Sequence, residues 1–125
     1  MKIISIAFVV IVALQHIFFM VLEMFFWTKP IGLQVFRQSL EKAEASAVLA
    51  ANQGLYNGFL AAGLIWSACH PDPVVAKQLQ LFFLGCVVVA GIYGAATVSK
   101  NIFFVQALPA VLGIIFVLLL QSPAA

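Results

Sequence analysis

The chain has 125 residues, 65% of them hydrophobic and 8% charged, with a formal net charge of +2 and a mean hydropathy of +1.16. Six Lys and Arg with four Asp and Glu cannot coat a soluble domain, which excludes a cytosolic enzyme, a nucleic-acid binder and a disordered tail and leaves the bilayer as solvent. The cations are scattered and form no basic stripe, so nucleic acid is not a partner.

The first predicted element covers residues 3–27, an apolar run broken only by Ser5, Gln15, His16 and Glu23. At about 37 Å of helix it is long enough for one tilted crossing. It continues through Phe25, Phe26 and Trp27 instead of reaching a small-residue cleavage site, so we expect it to be retained and not removed as a secretory signal. Segment 28–47 is the one long polar loop. It opens with Lys29 and Pro30, then sets Leu33, Phe36, Leu40, Ala43 and Ala47 at helical spacing opposite Arg37, Gln38, Glu41 and Glu44. It reads as an interfacial helix or, in preference, as a wet extension of the second span, because no proline separates the two.

The remaining spans are expected at 48–69, 75–98 and 102–120, each near the ~20 residues a bilayer requires. Tight antiparallel connections join them, His70-Pro71-Asp72-Pro73 first and Ser99-Lys100-Asn101 second. The predicted fold is therefore all-α, a single transmembrane domain over residues 1–125 that forms an antiparallel four-helix polytopic bundle. With four crossings, Lys2 and Lys77 fall on one side, and Lys29, Arg37, Lys42 and Lys100 on the other. The positive-inside rule then places loop 28–47 in the cytoplasm and both termini outside. Cys69 and Cys86 differ in depth and belong to no C-x-x-C pair, so we expect free thiols.

Ionisable groups in a span are expensive and demand partners. Glu23 lies about 6 Å inside the end of the first span, and His16 two turns further in. His16, Met20, Glu23 and Trp27 form one stripe, although about 10 Å of rise keeps His16 and Glu23 from touching without a relay. The second span enters from the same side with Asn52, Gln53, Tyr56 and Asn57, the third ends there with Tyr93 and Thr97, and the fourth begins there with Gln106 and Pro109. Polar groups offered at one depth by several helices cluster in hydrocarbon, which predicts a polar pocket in one leaflet. The opposite half holds little beyond Ser5, Ser67, Lys77, Gln78, Gln80 and Cys86. These are expected mostly at the rim, with no polar path through one protomer. Pro109 frees a backbone carbonyl one turn earlier. Gly54 and Gly58, and then Ala90, Gly91, Gly94 and Ala95, supply small surfaces for close helix contact.

Four stretches in order carry a resemblance: His16 to Trp27 with its Glu23-Met24-Phe25-x-Trp27 ending; Asn52-Gln53-Gly54-x-Tyr56-Asn57-Gly58 continuing to Gly63; Ala90-Gly91-x-Tyr93-Gly94-x-x-Thr97; and Gln106-x-x-Pro109-Ala110. Over the whole chain these resemble the small bacterial membrane proteins of domain-of-unknown-function family 1304. The resemblance implies four helices in the bacterial inner (plasma) membrane and supplies no reaction, so no catalytic role is carried over from it.

Three classes of function fit the pattern. In the leading reading the one-leaflet pocket binds a small amphipathic molecule. Glu23 and His16 are then available for acid or base chemistry, while Asn52, Gln53, Tyr56, Asn57, Tyr93 and Gln106 orient the ligand and Trp27 lies at the edge of the layer. The second is a proton-coupled exporter resembling the small multidrug resistance transporters, which share the length, the four helices and a carboxylate on the first span. Their carboxylate sits deeper and they act as dimers, so this reading makes the chain a homo-oligomer. The third is an accessory membrane subunit. The sequence does not decide whether the protein is an enzyme. His70 and Asp72 lack a third ligand and imply no metal, and no triad, phosphate loop or haem motif implies a cofactor. Besides any ligand, the expected partner is the lipid bilayer.

Overall fold

A computed structural model describes residues 2–121, with the Lys2 side chain, Met1 and residues 122–125 outside the description. The expected placement of the two termini therefore falls outside the described residues. The elements are α1 (Lys2–Phe25), α2 (Pro30–Phe36), α3 (Leu40–Cys69), α4 (Pro73–Thr97) and α5 (Leu108–Leu120), the last entered through a π-helical turn at Phe103–Ala107. Three helical segments are long and apolar enough to cross a membrane: Ile3–Phe25, Pro73–Thr97 and Phe103–Leu120. The expected second span is part of α3, which has the length but dilutes its apolar character with Asn52, Gln53, Tyr56 and Asn57.

The expected loop 28–47 is largely helical. Lys29 is extended, and Pro30 starts α2 at a position where its missing N–H costs nothing. A Cβ at Gly32 would lie 2.1 Å from the Phe26 carbonyl oxygen, so this close return of the chain requires glycine. Arg37 closes α2 in the left-handed region at φ 50°, and the Gln38 N–H reaches back to the Leu33 carbonyl at 3.1 Å, a Schellman-type ending. Ser39 then accepts the Lys42 N–H at 3.3 Å and opens α3, which runs on without a break to Cys69.

The chain forms two compact units, one being Leu14–Ala61 and the other combining the stretch up to Ala13 with everything from Ala62 onward. In the first, Gly54 and Gly58 allow α3 to lie against α1. A Cβ at Gly54 would sit 2.7 Å from Met24 Cγ and 3.0 Å from Glu23 Cβ, and one at Gly58 2.7 Å from Met20 Sδ. Leu22 and Ala43 are buried here, as is His16.

In the second unit, Val9, Val12, Leu64, Leu84, Val87, Ala110 and Val117 form the buried core, and Phe8 stacks on Phe116 at 4.8 Å. Asp72 caps α4, its Oδ1 accepting from Val74 N at 2.8 Å and Val75 N at 3.1 Å. The hydrogen bonds from Val75 and Val74, with a smaller contribution from His70, hold its carboxyl below the usual aspartate range. The π turn has a local cause. Pro109 has no N–H to offer the Val105 carbonyl, and the ladder adjusts by pairing Leu108 N–H with the Phe103 carbonyl. Ala107, inside this turn, is fully buried against Gly91, where a Cβ would meet Ala107 N at 2.7 Å.

Much of the surface of the long helices is apolar. Ile3, Ile11, Leu14, Phe25, Phe82, Val89, Phe104 and Leu119 are among the large side chains left exposed. A helix that is hydrophobic on every side suits lipid and not water, so this is the surface expected of a membrane-embedded protein.

Two glycines of α4 separate packing from propensity. Gly91→Val should lower stability by about 1 to 3 kcal/mol because the added atoms press on backbone, whereas Gly85, with nothing within 4 Å of a Cβ, should accept Ala with no loss or a small gain. Thermal melts in detergent followed by helical circular dichroism will test the contrast, and equal effects at both positions would contradict it.

Candidate functional site

Within the Leu14–Ala61 unit, the last turn of α1 delivers Glu23 to the face of α3 that Gly54 leaves bare. The carboxylate is 5% exposed. Asn57 donates to Oε2 at 2.6 Å and Gln53 donates to Oε1 at 3.3 Å. The two amides are one helical turn apart on α3, so each takes one carboxylate oxygen, which fixes the plane of the group. Both are neutral, and among the described residues no cationic side chain is bonded to the carboxylate. Such a group can hold a proton, or it can accept a cationic or hydrogen-bond-donating end of a ligand.

His16 is fully buried and stands edge-on to Phe19 at 6.2 Å; it is not among the donors to Glu23. Trp27 has structural employment. Its indole N–H donates to Ser46 Oγ at 3.1 Å, and its ring packs on Phe36 at 4.6 Å. Asn52 lies on the exposed surface of α3. Tyr56 is 56% exposed and Tyr93 71% exposed, and Gln106 is half-buried on the π turn. Of the residues expected to share one chamber, the structure joins buried Glu23 to half-buried Asn57 and to Gln53, which is itself exposed, while Asn52, Tyr56 and Tyr93 are also at the surface.

Ser5, Ser67, Lys77 and Gln80, expected mostly at a rim, lie toward helix ends, and the structure adds that they are joined to one another. Ser5, Ser67 and Gln80 are buried with Gln121 in one network of the second unit. The Gln121 side-chain amide donates to Ser5 Oγ and to Gln80 Oε1, each at 2.8 Å. Gln80 reaches the Ser67 carbonyl at 3.4 Å, Ser67 Oγ donates to the Leu64 carbonyl, and Lys77 donates to the Gln121 carbonyl. Gln121, which joins the others, was not singled out by the sequence because it follows the last apolar residue of α5.

Fold and site together define a helical protein with membrane-type spans, an amide-held carboxylate in one unit and a closed polar network in the other. The chain belongs to the family described as Protein of unknown function (DUF1304), whose model matches residues 10–118. That range contains all four motifs on which the resemblance was drawn. The chain is 32% identical over 119 residues to the Uncharacterized protein YpaA of Lactococcus lactis subsp. lactis (strain IL1403), covering 92% of this chain and 97% of that protein. No solved structure matches the chain.

The bond lengths rank the two amides. Asn57→Ala should cost about 1 to 3 kcal/mol by leaving a buried carboxylate short of a donor, and Gln53→Ala clearly less. Adding Glu23→Leu to Asn57→Ala should recover part of the loss, because no stranded charge remains. Denaturation of these proteins together with the Glu23→Leu single variant in one detergent measures this, and strictly additive losses would show that the pair does not interact.

Proposed function

We propose that this chain is a four-span antiparallel membrane protein in which Glu23, held by Asn57 and Gln53, binds the polar end of a small amphipathic molecule near one membrane surface. The observation that carries the reading is a buried carboxylate whose bonded partners are both neutral. A charge in that setting costs several kcal/mol unless a proton or a cationic guest neutralises it. An amphiphile with an amine or ammonium head meets the need, because its tail lies against the apolar helix faces while its head reaches the carboxylate. The same group can pass a proton to or from such a guest, with His16 a second titratable side chain on the same helix. Asn52, Tyr56 and Trp27, of the same unit, are proposed as outer contacts of the head, whereas Tyr93 and Gln106 belong to the other unit and are left out of this site.

The reading treats α3 as the fourth span, its polar first half lying at the depth of the headgroups. Pairings support an antiparallel order inside each unit: Gly54 with Met24 and Gly58 with Met20 in one, Gly91 with Ala107 and Gly113 with Leu84 in the other. We place the protein in the inner (plasma) membrane, with the connection from α1 to α3 and the Lys100 turn in the cytoplasm, because Lys29, Arg37, Lys42 and Lys100 all lie there.

Dodecyltrimethylammonium is a suitable probe for purified protein in neutral detergent, read by native mass spectrometry. Glu23→Gln should weaken its binding by about tenfold or more. Binding to the unsubstituted protein should fade as pH falls and the carboxylate protonates, and the variant should lose that pH dependence. Equal binding by both proteins at every pH would refute the assignment. Topology is tested separately by fusing alkaline phosphatase or green fluorescent protein to the carboxyl terminus: an active phosphatase with a dark fluorescent fusion is expected, and the reverse would invert the orientation.

A further inference from the structure

The second unit contains a cleft of about 490 Å³ where the end of α3, the start of α4 and Gln121 meet. The volume falls in the range of small-molecule sites, roughly 300 to 1,000 Å³. None of Glu23, Gln53 and Asn57 lines it. Its walls are chemically divided. Seven lining residues are apolar, Ile6, Val74 and Leu81 among them, while Ser67, His70, Lys77, Gln78, Gln80 and Gln121 are polar.

No Asp or Glu lines this cleft among the described residues; the nearest acid in sequence, Asp72, keeps its charge but directs Oδ1 to the α4 N–H groups. The Lys77 ammonium is held by the Gln121 carbonyl, a neutral acceptor, and among the described residues no carboxylate is bonded to it, so an ammonium with three protons faces the cleft. His70 adds a second polar group: its Nδ1 lies 3.1 Å from Asp72 N and 3.2 Å from the Asp72 carbonyl oxygen, which fixes the ring beside the cleft and leaves Nε2 as its other polar atom. The floor is rigid, because Gln121 is fixed through Ser5 and Gln80 and Gln80 through Ser67. A cation on a fixed support beside an apolar wall is the complement of an anionic head joined to a hydrocarbon tail.

We propose that this cleft binds an anionic single-chain amphiphile, its phosphate or carboxylate head on Lys77 and His70 and its chain along Ile6, Val74 and Leu81. The occupant is a lipid-borne anion and not a free one, since most of the wall makes no use of a bare phosphate. The site is independent of the Glu23 reading.

The test uses the full chain in neutral detergent, with native mass spectrometry counting bound dodecyl phosphate. Lys77→Gln keeps a hydrogen-bond donor and removes the charge, and it should weaken binding by about tenfold or more. Lys77→Arg should retain binding to within about threefold. Val74→Trp, at the exposed rim, should obstruct the chain and weaken dodecyl phosphate independently of the charge. Glu23→Gln should leave dodecyl phosphate unaffected, and Lys77→Gln should leave dodecyltrimethylammonium unaffected, which separates failure here from failure of the other site. Inorganic phosphate binding as tightly as dodecyl phosphate would overturn the lipid assignment. Unchanged dodecyl phosphate binding by both Lys77→Gln and Val74→Trp would overturn the site.

Discussion

Hydrocarbon offers no hydrogen bonds, and that single constraint organises this chain. In water a stray Gln or Glu on a helix is solvated and tells nothing about its neighbours. In lipid each one must find a donor or acceptor inside the protein, at a cost of several kcal/mol for failing to do so. The positions of a few polar side chains therefore determine where helices approach one another. Glu23 draws Asn57 and Gln53 of α3 to the end of α1, and Gln121 ties Ser5 to Gln80 at the far end of the sequence separation.

The second requirement is closeness, because lipid tails are as apolar as leucine and the hydrophobic effect does not by itself press helices together. Small residues meet it. Gly54 and Gly58 bring α3 near enough to α1 for short amide side chains to reach a carboxylate, and Gly91 admits the backbone of the π turn at Ala107. Bond and glycine are thus coupled: an Asn reaches across a helix interface only where one of the two surfaces has no side chain in the way. The π turn belongs to the same logic. Pro109 disrupts the regular ladder, and the wider turn pairs the backbone again while seating Ala107 in the groove at Gly91.

Much of this was legible in the sequence, in proportion to how local its cause is. The apolar runs gave three spans to within a few residues, because length and composition alone decide them. The glycine spacing pointed to helix contact, and Glu23 stood out as a charge within an apolar run. What was not legible is direction. Sequence depth placed Asn52, Gln53, Tyr56 and Asn57 in one layer, but at about 100° per residue Asn57 points roughly 140° away from Asn52 and about 100° away from Tyr56, with Gln53 in between. The tyrosines accordingly turn outward. The helix α2 inside loop 28–47 was hidden because a seven-residue helix is fixed by its Pro30 start, its Gly32 contact and its Arg37 ending, none of which is a periodic signal. Gln121 was passed over because it follows the last apolar residue, where a polar side chain reads as ordinary solvation.

The two polar assemblies differ in a way that bears on their roles. In the Ser5, Ser67, Gln80 and Gln121 network every bond joins neutral groups, and the Gln121 amide spends both its protons inside the protein. A network of that kind is complete and serves as a rigid support. The Glu23 assembly is different in kind, because amide donors orient a carboxylate without cancelling its charge. Leucine at position 23 would pack against Met24, Gly54 and Met20 at far lower cost in an apolar solvent. On the reading proposed above, the Asn and Gln one turn apart aim the two oxygens of this costlier group at a proton or the head of a guest. The Lys77 ammonium presents the mirror case, a cation held by one carbonyl beside an apolar wall, and it stands on the neutral network that keeps it in position.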